Sequence, residues 1–342
     1  MRGLVLPTTV IPAILLFIFL FCEESNAQPS GFDSTKTIAS SLTYDYKNPN
    51  FEWNDEPHSQ STWLAYERHN VNTSDIVVRK INFSEYSPEI LITNTAGELN
   101  INPVVNKDFI FWQSNRNGNW DMYYSIYNGS SWSSPQIISN TSSDEINPYI
   151  YYNRSSPIQF TAYYLLFERA GDIIFRKYRL QTSSWDSLEV NLTDSITDNC
   201  SKPVITGSSD FNIYFAREVS PGQKKISARR IREQNNILQL YPIALYNYIL
   251  TDNNYCISNS WGNPYFTFSS GSPNNNIIGL RHNSGSSTDI FTSQFFGSHT
   301  NGKGSLMSIV TDASGSYYFS AFGFVTRSSD STYISLINNF YS

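Results

Sequence analysis

Six arginines recur along the chain at matching places in a repeated pattern: Arg68, Arg116, Arg169, Arg217, Arg281 and Arg327. Each follows a short apolar run, among them Trp63-Leu64-Ala65-Tyr66, Phe109-Ile110-Phe111-Trp112, Tyr164-Leu165-Leu166-Phe167 and Ile213-Tyr214-Phe215-Ala216. The intervals between them are 48, 53, 48, 64 and 46 residues. One such unit cannot bury its apolar faces alone, so units of this length must stack against neighbours. A period of about 50 built from short strands predicts a β-propeller with one blade per repeat.

The second repeat shows the strand grammar most clearly. Asn102-Pro103 leads into a first strand, and Asn106-Lys107-Asp108 turns into Phe109 to Trp112. Asn117-Gly118 supplies a tight hairpin turn, since such pairs tolerate positive φ. Asp121 to Tyr127 is the third strand and Pro135 to Ile138 the fourth. First strands are expected to open at Glu56-Pro57, Asn147-Pro148, Lys202-Pro203 and Asn263-Pro264, because proline suits a position needing no ladder donor. Third strands are expected at Asp75, Asp172 and Asp289. The expected architecture is all-β: a six-bladed propeller of four-stranded antiparallel blades covering approximately 50–95, 96–140, 141–194, 195–250, 251–300 and 301–342. No fourth strand is expected after the last repeat. Residues 36–44 are expected to supply it, closing the ring and covering the open edge.

Both ends of the composition argument agree with an exported chain. Met1-Arg2-Gly3, the apolar run from Val10 to Phe21 and the small residues Ser25 and Ala27 predict a cleavable signal peptide spanning 1–27, with 28–342 as the mature chain. That run is shorter than the ~20 residues a spanning helix needs, and no other stretch suits a membrane. A net charge of −6 argues against nucleic acid as a partner. Export permits a disulfide between Cys200 and Cys256, which lie in successive loops. The four histidines lack ligand spacing, so no zinc site is expected.

The string Asn102-Pro103, Phe109 to Trp112 and Ser114-Asn115-Arg116-Asn117-Gly118-Asn119-Trp120-Asp121 resembles the TolB-type propeller repeat, also related to the propellers of prolyl-oligopeptidase-like enzymes. The resemblance implies a six-bladed propeller. It implies no particular activity, because such repeats serve many functions.

Two groups of residues are candidates for function. The six arginines are expected to be structural, each paired with an acidic neighbour: Arg68 with Asp55, Glu56 or Asp75, Arg169 with Asp144, Glu145 or Asp172, Arg217 with Asp198, and Arg116 and Arg281 with Asp121 and Asp289. Asn100, Asn102, Asp144, Glu145, Asn147, Asp198 and Asn263 precede or open first strands and are expected to line one mouth of the central channel. There they could cap loops, the preferred reading, or hold a cation such as calcium; no other cofactor is expected. Trp132, Trp185 and Tyr86 stand at equivalent places before fourth strands and are expected to pack. No Gly-x-Ser-x-Gly elbow is present. A Ser-x-Asp-x-Gly-x-x-Trp turn is only approximated at Ser114 to Trp120, with Arg116 where Asp is needed. The functional expectation is a monomeric, non-catalytic scaffold that binds a protein or peptide in the cell envelope or outside the cell. The alternative is a glycan-cleaving, sialidase-like or carbohydrate-binding propeller. A chain starting near residue 50 is expected to lose cooperative unfolding in thermal melts, whereas unchanged melting would refute closure by the N-terminal segment.

Overall fold

The computed structural model describes residues 41, 43–51, 61–82, 86–153, 161–207, 210–234 and 237–250, and beyond 250 the backbone of seven strands. These residues form six antiparallel sheets in chain order. The first holds β1 (Asp45–Phe51), β2 (Ser61–Asn70), β3 (Thr73–Asn82) and β4 (Ile90–Leu91). The second holds β5 (Asn100–Asn106), β6 (Phe109–Ser114), β7 (Asp121–Ile126) and β8 (Gln136–Ile137). In the third, β9 (Glu145–Asn153), β10 (Ala162–Arg169) and β11 (Asp172–Arg179) are followed by a split outer strand, β12 (Ser184–Trp185) and β13 (Val190–Asn191), both pairing with β11. The fourth holds β14 (Cys200–Gly207), β15 (Asp210–Ser220), β16 (Gln223–Gln234) and β17 (Ile237–Leu250). The fifth holds β18 (Tyr255–Ser260), β19 (Asn263–Ser270), β20 (Asn276–His282) and β21 (Thr288–Ser293). The sixth has three described strands, β22 (Lys303–Thr311), β23 (Tyr318–Ser328) and β24 (Ser331–Tyr341). The innermost strands β1, β5, β9, β14, β18 and β22 lie alongside one another in that order. This is an all-β, propeller-type arrangement of short-looped sheets.

The inner strands share one irregularity. Asn48, Asn102, Asn147 and Lys202 all take positive φ, between 46° and 54°, and each is followed by a proline. The ladder slips at each of these steps, so two residues of the inner strand bulge against the second strand. Proline fits there because a bulge leaves its position without a ladder hydrogen bond to donate. In the hairpin after β6, Gly118 adopts φ of +100°, which a side chain would strain.

The strand order departs from the sequence expectation in two sheets. The first sheet opens at Asn48-Pro49 on β1, and not at Glu56-Pro57, which lies outside the described residues. The misleading signal was spacing: the link from β1 to β2 spans 52–60, whereas β5 and β6 are joined by Lys107-Asp108 alone. In the fifth sheet Asn263-Pro264 begins β19, the second strand, so Arg281 lies on the third strand and Asp289 on the fourth. An extra inner strand, β18, precedes them and carries no proline to announce it. The expected closing segment 36–44 lies almost wholly outside the described residues. Because a start near residue 50 would also remove β1, the truncation that tests closure alone begins at Asp45.

Aromatic side chains fill the spaces between sheets. Trp63 of the first sheet meets Trp132 of the second at 5.2 Å between ring centroids, edge to face. Trp185 of the third sheet packs on Phe111 and Tyr124 of the second at 5.9 and 5.6 Å. Tyr86, Trp132 and Trp185 pair with Ile81, Tyr127 and Tyr178 across equivalent turns, so the wedge repeats by register. Phe109 and Tyr163 bridge the second and third sheets at 4.4 Å. Aromatic pairs in these geometries add about 0.5–1.5 kcal/mol each beyond area burial.

Cys200 differs from expectation. Its thiol is free and buried, packed with Ile173, Phe215 and Leu192 between the third and fourth sheets, so it forms no bridge to Cys256. The side chain faces the inter-sheet core, where its weak donor meets the Asp198 carbonyl at 3.5 Å. Burial pushes the thiol up to about 12, well above its ordinary value. Only the thiolate reacts at a useful rate. Peptide mapping after maleimide treatment of the native chain should find Cys200 unmodified, with labelling appearing only on unfolding. Native-state labelling at the rate of an exposed thiol would contradict this packing.

Candidate functional site

The four bulges converge on one cavity of about 330 Å³. Its wall repeats a three-residue unit: Asn48-Pro49-Asn50, Asn102-Pro103-Val104, Asn147-Pro148-Tyr149 and Lys202-Pro203-Val204. Each unit comes from the inner strand of one sheet, so the cavity opens where those strands gather.

What holds the wall is a hydrogen-bond latch repeated across sheets. At the end of β2, Glu67 accepts the Asn48 side-chain amide of its own sheet at 2.6 Å and the Asn102 backbone N–H of the next at 2.6 Å. On β6, Gln113 accepts the Asn102 side-chain amide at 3.0 Å and the Asn147 backbone N–H at 3.0 Å. On β10, Glu168 accepts the Asn147 side-chain amide at 2.8 Å and the Lys202 backbone N–H at 2.5 Å. Neighbouring amides also touch one another around the wall, Asn48 to Asn102 at 3.3 Å and Asn102 to Asn147 at 3.5 Å. On β15 the corresponding residue is Ala216, which has no acceptor to offer.

Charge balance follows the same positions. Glu67 is 1% exposed and Glu168 7% exposed, and a buried carboxylate is costly unless paired and hydrogen-bonded. The second oxygen of Glu67 lies 2.6 Å from His69 Nε2. Burial pushes the Glu168 carboxyl above the ordinary glutamate value; the bonds from Lys202 N and Asn147, and the Lys202 charge, pull it part of the way back. The neutral Gln113 needs no such partner.

The seven residues expected at the channel mouth separate into distinct places. Asn102 and Asn147 line the cavity. Asn100 is fully buried between the first two sheets, where it exchanges bonds with Ser74 and accepts from Trp112 Nε1 at 3.1 Å and Arg116 at 3.2 Å. Glu145 is equally buried and held by Arg169 at 2.6 Å and Ser139 at 2.5 Å. Asp144 accepts the Trp120 backbone N–H at 3.0 Å, and Asp198 accepts from Arg217 Nε at 2.5 Å. Asn263 stands on the second strand of the fifth sheet. They therefore do not converge as a calcium-binding ring, and among the described residues no cluster of three His, Cys, Asp or Glu could hold a metal ion. The bulge separates them, turning residues 102 and 147 toward the axis while 100 and 145, two places earlier, stay between sheets.

The repeat arginines whose side chains are described, Arg68, Arg116, Arg169 and Arg217, pair with carboxylates of their own sheets. Arg68 lies 3.7 Å from both Asp75 and Glu89, and its guanidinium stacks on Tyr44. Arg116 sits in the hairpin beyond β6, 3.5 Å from Glu98 and over the Tyr123 ring. Arg169 is clamped by Glu145 and Glu189. Arg281 and Arg327 stand across from Asp289 and Thr332 in register, Arg281 on β20 and Arg327 on β23. The third-strand aspartates serve another purpose. Asp75 accepts from Thr93 at 3.2 Å and Asp172 from Thr193 at 2.7 Å, which fastens the segment after each fourth strand. Asp121 accepts instead from Asn117 and Asn119 of its own hairpin.

Sequence reasoning missed Glu67, Gln113, Glu168, Asn48 and Lys202. A signal existed: in each of the first three repeats a Glu or Gln stands one to three residues before the repeat arginine, and the following repeat offers Asn-Pro or Lys-Pro. Its acceptor role was not visible because the donor belongs to the following sheet.

No protein-family model matches the chain, and no curated protein matches it. Among solved structures, the NanB sialidase from Streptococcus pneumoniae superposes with a TM-score of 0.55 at 9% identity, over 89% of this chain and 69% of that one. The hemagglutinin-neuraminidase ectodomain of parainfluenza virus 5 superposes at 0.53 and 8% identity, over 90% and 84%. TolB from Acinetobacter baumannii reaches 0.44 at 14% identity, over 76% and 57%. These structural neighbours are β-propellers, and the chain shares that fold. Among its described residues, no helix is long and apolar enough to cross a membrane.

The latch makes a pH-dependent prediction. Glu168→Ala strands the Lys202 N–H and the Asn147 amide, and should cost about 1–3 kcal/mol in denaturant melts, with Glu168→Gln, the residue already used on β6, costing less. A carboxyl raised by burial binds its proton more tightly when folded, so its contribution to stability falls as pH rises from the ordinary glutamate range through the folded value. The stability of the native chain relative to Glu168→Gln should therefore improve on acidification from neutral pH. A pH-independent difference would contradict the assignment.

Proposed function

We propose that the chain is an exported, non-catalytic propeller that binds a protein partner by taking a peptide segment into the axial cavity, and that it acts as a monomer in the cell envelope or outside the cell. The observation carrying the reading is the state of the described arginines: Arg68, Arg116, Arg169 and Arg217 are each spent on carboxylates of their own sheet. A site for an anionic sugar would need such groups turned toward a shared cavity beside catalytic carboxylates. Here no arginine or carboxylate lines the cavity among the described residues. The wall offers amides, proline rings, a tyrosine, two valines and one lysine, a mixture that complements peptide backbone and small apolar side chains.

Two measurements test this. The mature chain, immobilised and exposed to envelope and secreted proteins of its host, should retain a partner that Val204→Trp, which fills the cavity, releases. A screen against glycosides, sialosides included, should show no turnover. Turnover abolished by Glu67→Gln or Glu168→Gln would replace the binding reading with a glycan-cleaving one.

A further inference from the structure

We propose that the outer edge of β17 receives an extended, acidic segment of a partner protein as an added strand, a second docking place distinct from the axial cavity. The inference starts from an exception among the outer strands. In the first three sheets these are two-residue pieces, β4, β8, β12 and β13, which leave almost no edge to extend. β17 runs for 14 residues, Ile237–Leu250, and among the described residues it pairs with β16 alone. Its other side therefore presents a row of backbone N–H and C=O groups, a template for one more strand.

Sheets ordinarily blunt such an edge with short strands, charged side chains, prolines or bulges. β17 uses only the last two: its ladder slips twice, and Pro242 stands at one of the slips. From Ile237 to Leu240 the ladder with β16 is unbroken. No charged residue occurs between 237 and 250. Ile237 is 71% exposed and Leu245 45% exposed, so apolar side chains flank the edge in water.

The charge around the edge selects the occupant. The chain carries a net charge of −6, yet β16 holds Lys224, Lys225, Arg229, Arg230 and Arg232 against one acidic residue, Glu233. Part of this charge is spent inside the structure. Arg232 grips Asp210 at two points, 2.5 and 2.6 Å, and Arg229 donates to the Leu192 and Tyr241 carbonyls at 2.5 and 3.0 Å. Arg230 is different. It is exposed, and its guanidinium lies 3.9 Å from the centre of the Tyr241 ring on β17 itself. Among the described residues no carboxylate is within ion-pair distance of it. Lys225 stands across from Arg217 on β15 and Ile249 on β17, and Arg217 already holds Asp198. Stacking thus fixes a guanidinium over the edge strand while its N–H groups stay available to an anion. A second copy of this chain would bring the same positive charge to the seam. An extended segment with Asp or Glu at alternate positions offers backbone for the ladder and carboxylates on one face for Arg230.

The test uses the full mature chain and N-acetylated decapeptides whose alternate residues are glutamate, lysine or glutamine, the rest being valine and threonine. In calorimetric titrations the glutamate peptide should bind at least about tenfold more tightly than the lysine peptide, with the gap narrowing as salt rises. Hydrogen exchange should slow at those β17 amides that do not bond β16. Two further glutamate peptides carry N-methyl groups on one or the other alternate set of amides; strand addition uses one set, so one peptide should bind and the other fail. Arg230→Gln should remove most of the preference for glutamate with the melting temperature unchanged, because the side chain is exposed. Equal binding of the two methylated peptides, binding without slowed exchange in β17, or no binding at all would overturn the inference. So would self-association seen by sedimentation and lost in Leu245→Lys, which would assign the edge to a second copy. Val204→Trp, which fills the axial cavity, should leave the glutamate peptide bound; its release would place the peptide in that cavity and overturn the edge site.

Discussion

One oxygen at the end of the second strand in each of the first three sheets holds two sheets at once. Glu67, Gln113 and Glu168 each take a side-chain amide from their own inner strand and a backbone N–H from the next. A backbone N–H at a bulge has no ladder partner, and leaving it unpaired away from water would cost as much as a lost hydrogen bond. The latch satisfies that donor with an acceptor that only the neighbouring sheet can provide. Spacing between adjacent sheets is thereby set near the axis, where side chains are too small to set it by packing.

Further from the axis, aromatic side chains take over. Trp132 and Trp185 each insert toward the preceding sheet, and Phe109, Phe111, Tyr124 and Tyr163 fill the layer between. Sheets fixed at the axis by hydrogen bonds and held apart at the rim by large rings diverge as blades do.

Polar groups are thus sorted by distance from the axis. Arginines and third-strand aspartates serve the loops of their own sheets: Arg169 clamps Glu145 and Glu189, and Asp172 fastens Thr193. The cavity wall is left to amides, prolines and a single ammonium. A surface of this kind discriminates by shape and by hydrogen-bond pattern more than by strong fields, which is the property a peptide site requires.

The repeat and its strand order were legible in the residues themselves. A period of apolar runs ending in arginine, Asn-Gly turns and prolines at inner strands are local signals, because hairpins form between neighbours in the chain. That is why the strands of the second, third and fourth sheets lie where the residues indicated, whereas a long link misplaced the first strand of the first sheet and a proline-free inner strand shifted the fifth sheet by one strand. What faces the axis could not be read in this way. Asn100 and Asn102 look alike in the chain, yet one is buried beneath Trp112 and the other lines the cavity. A bulge turns the second of them, and the acceptor that stabilises the turn lies on a different sheet. The chain alone determined that the repeats are built of short antiparallel strands and where most of their hairpins turn, since those choices are made by adjacent residues. The tertiary structure decided which polar groups are spent and which are offered, because each is satisfied or left to a ligand only once two sheets meet.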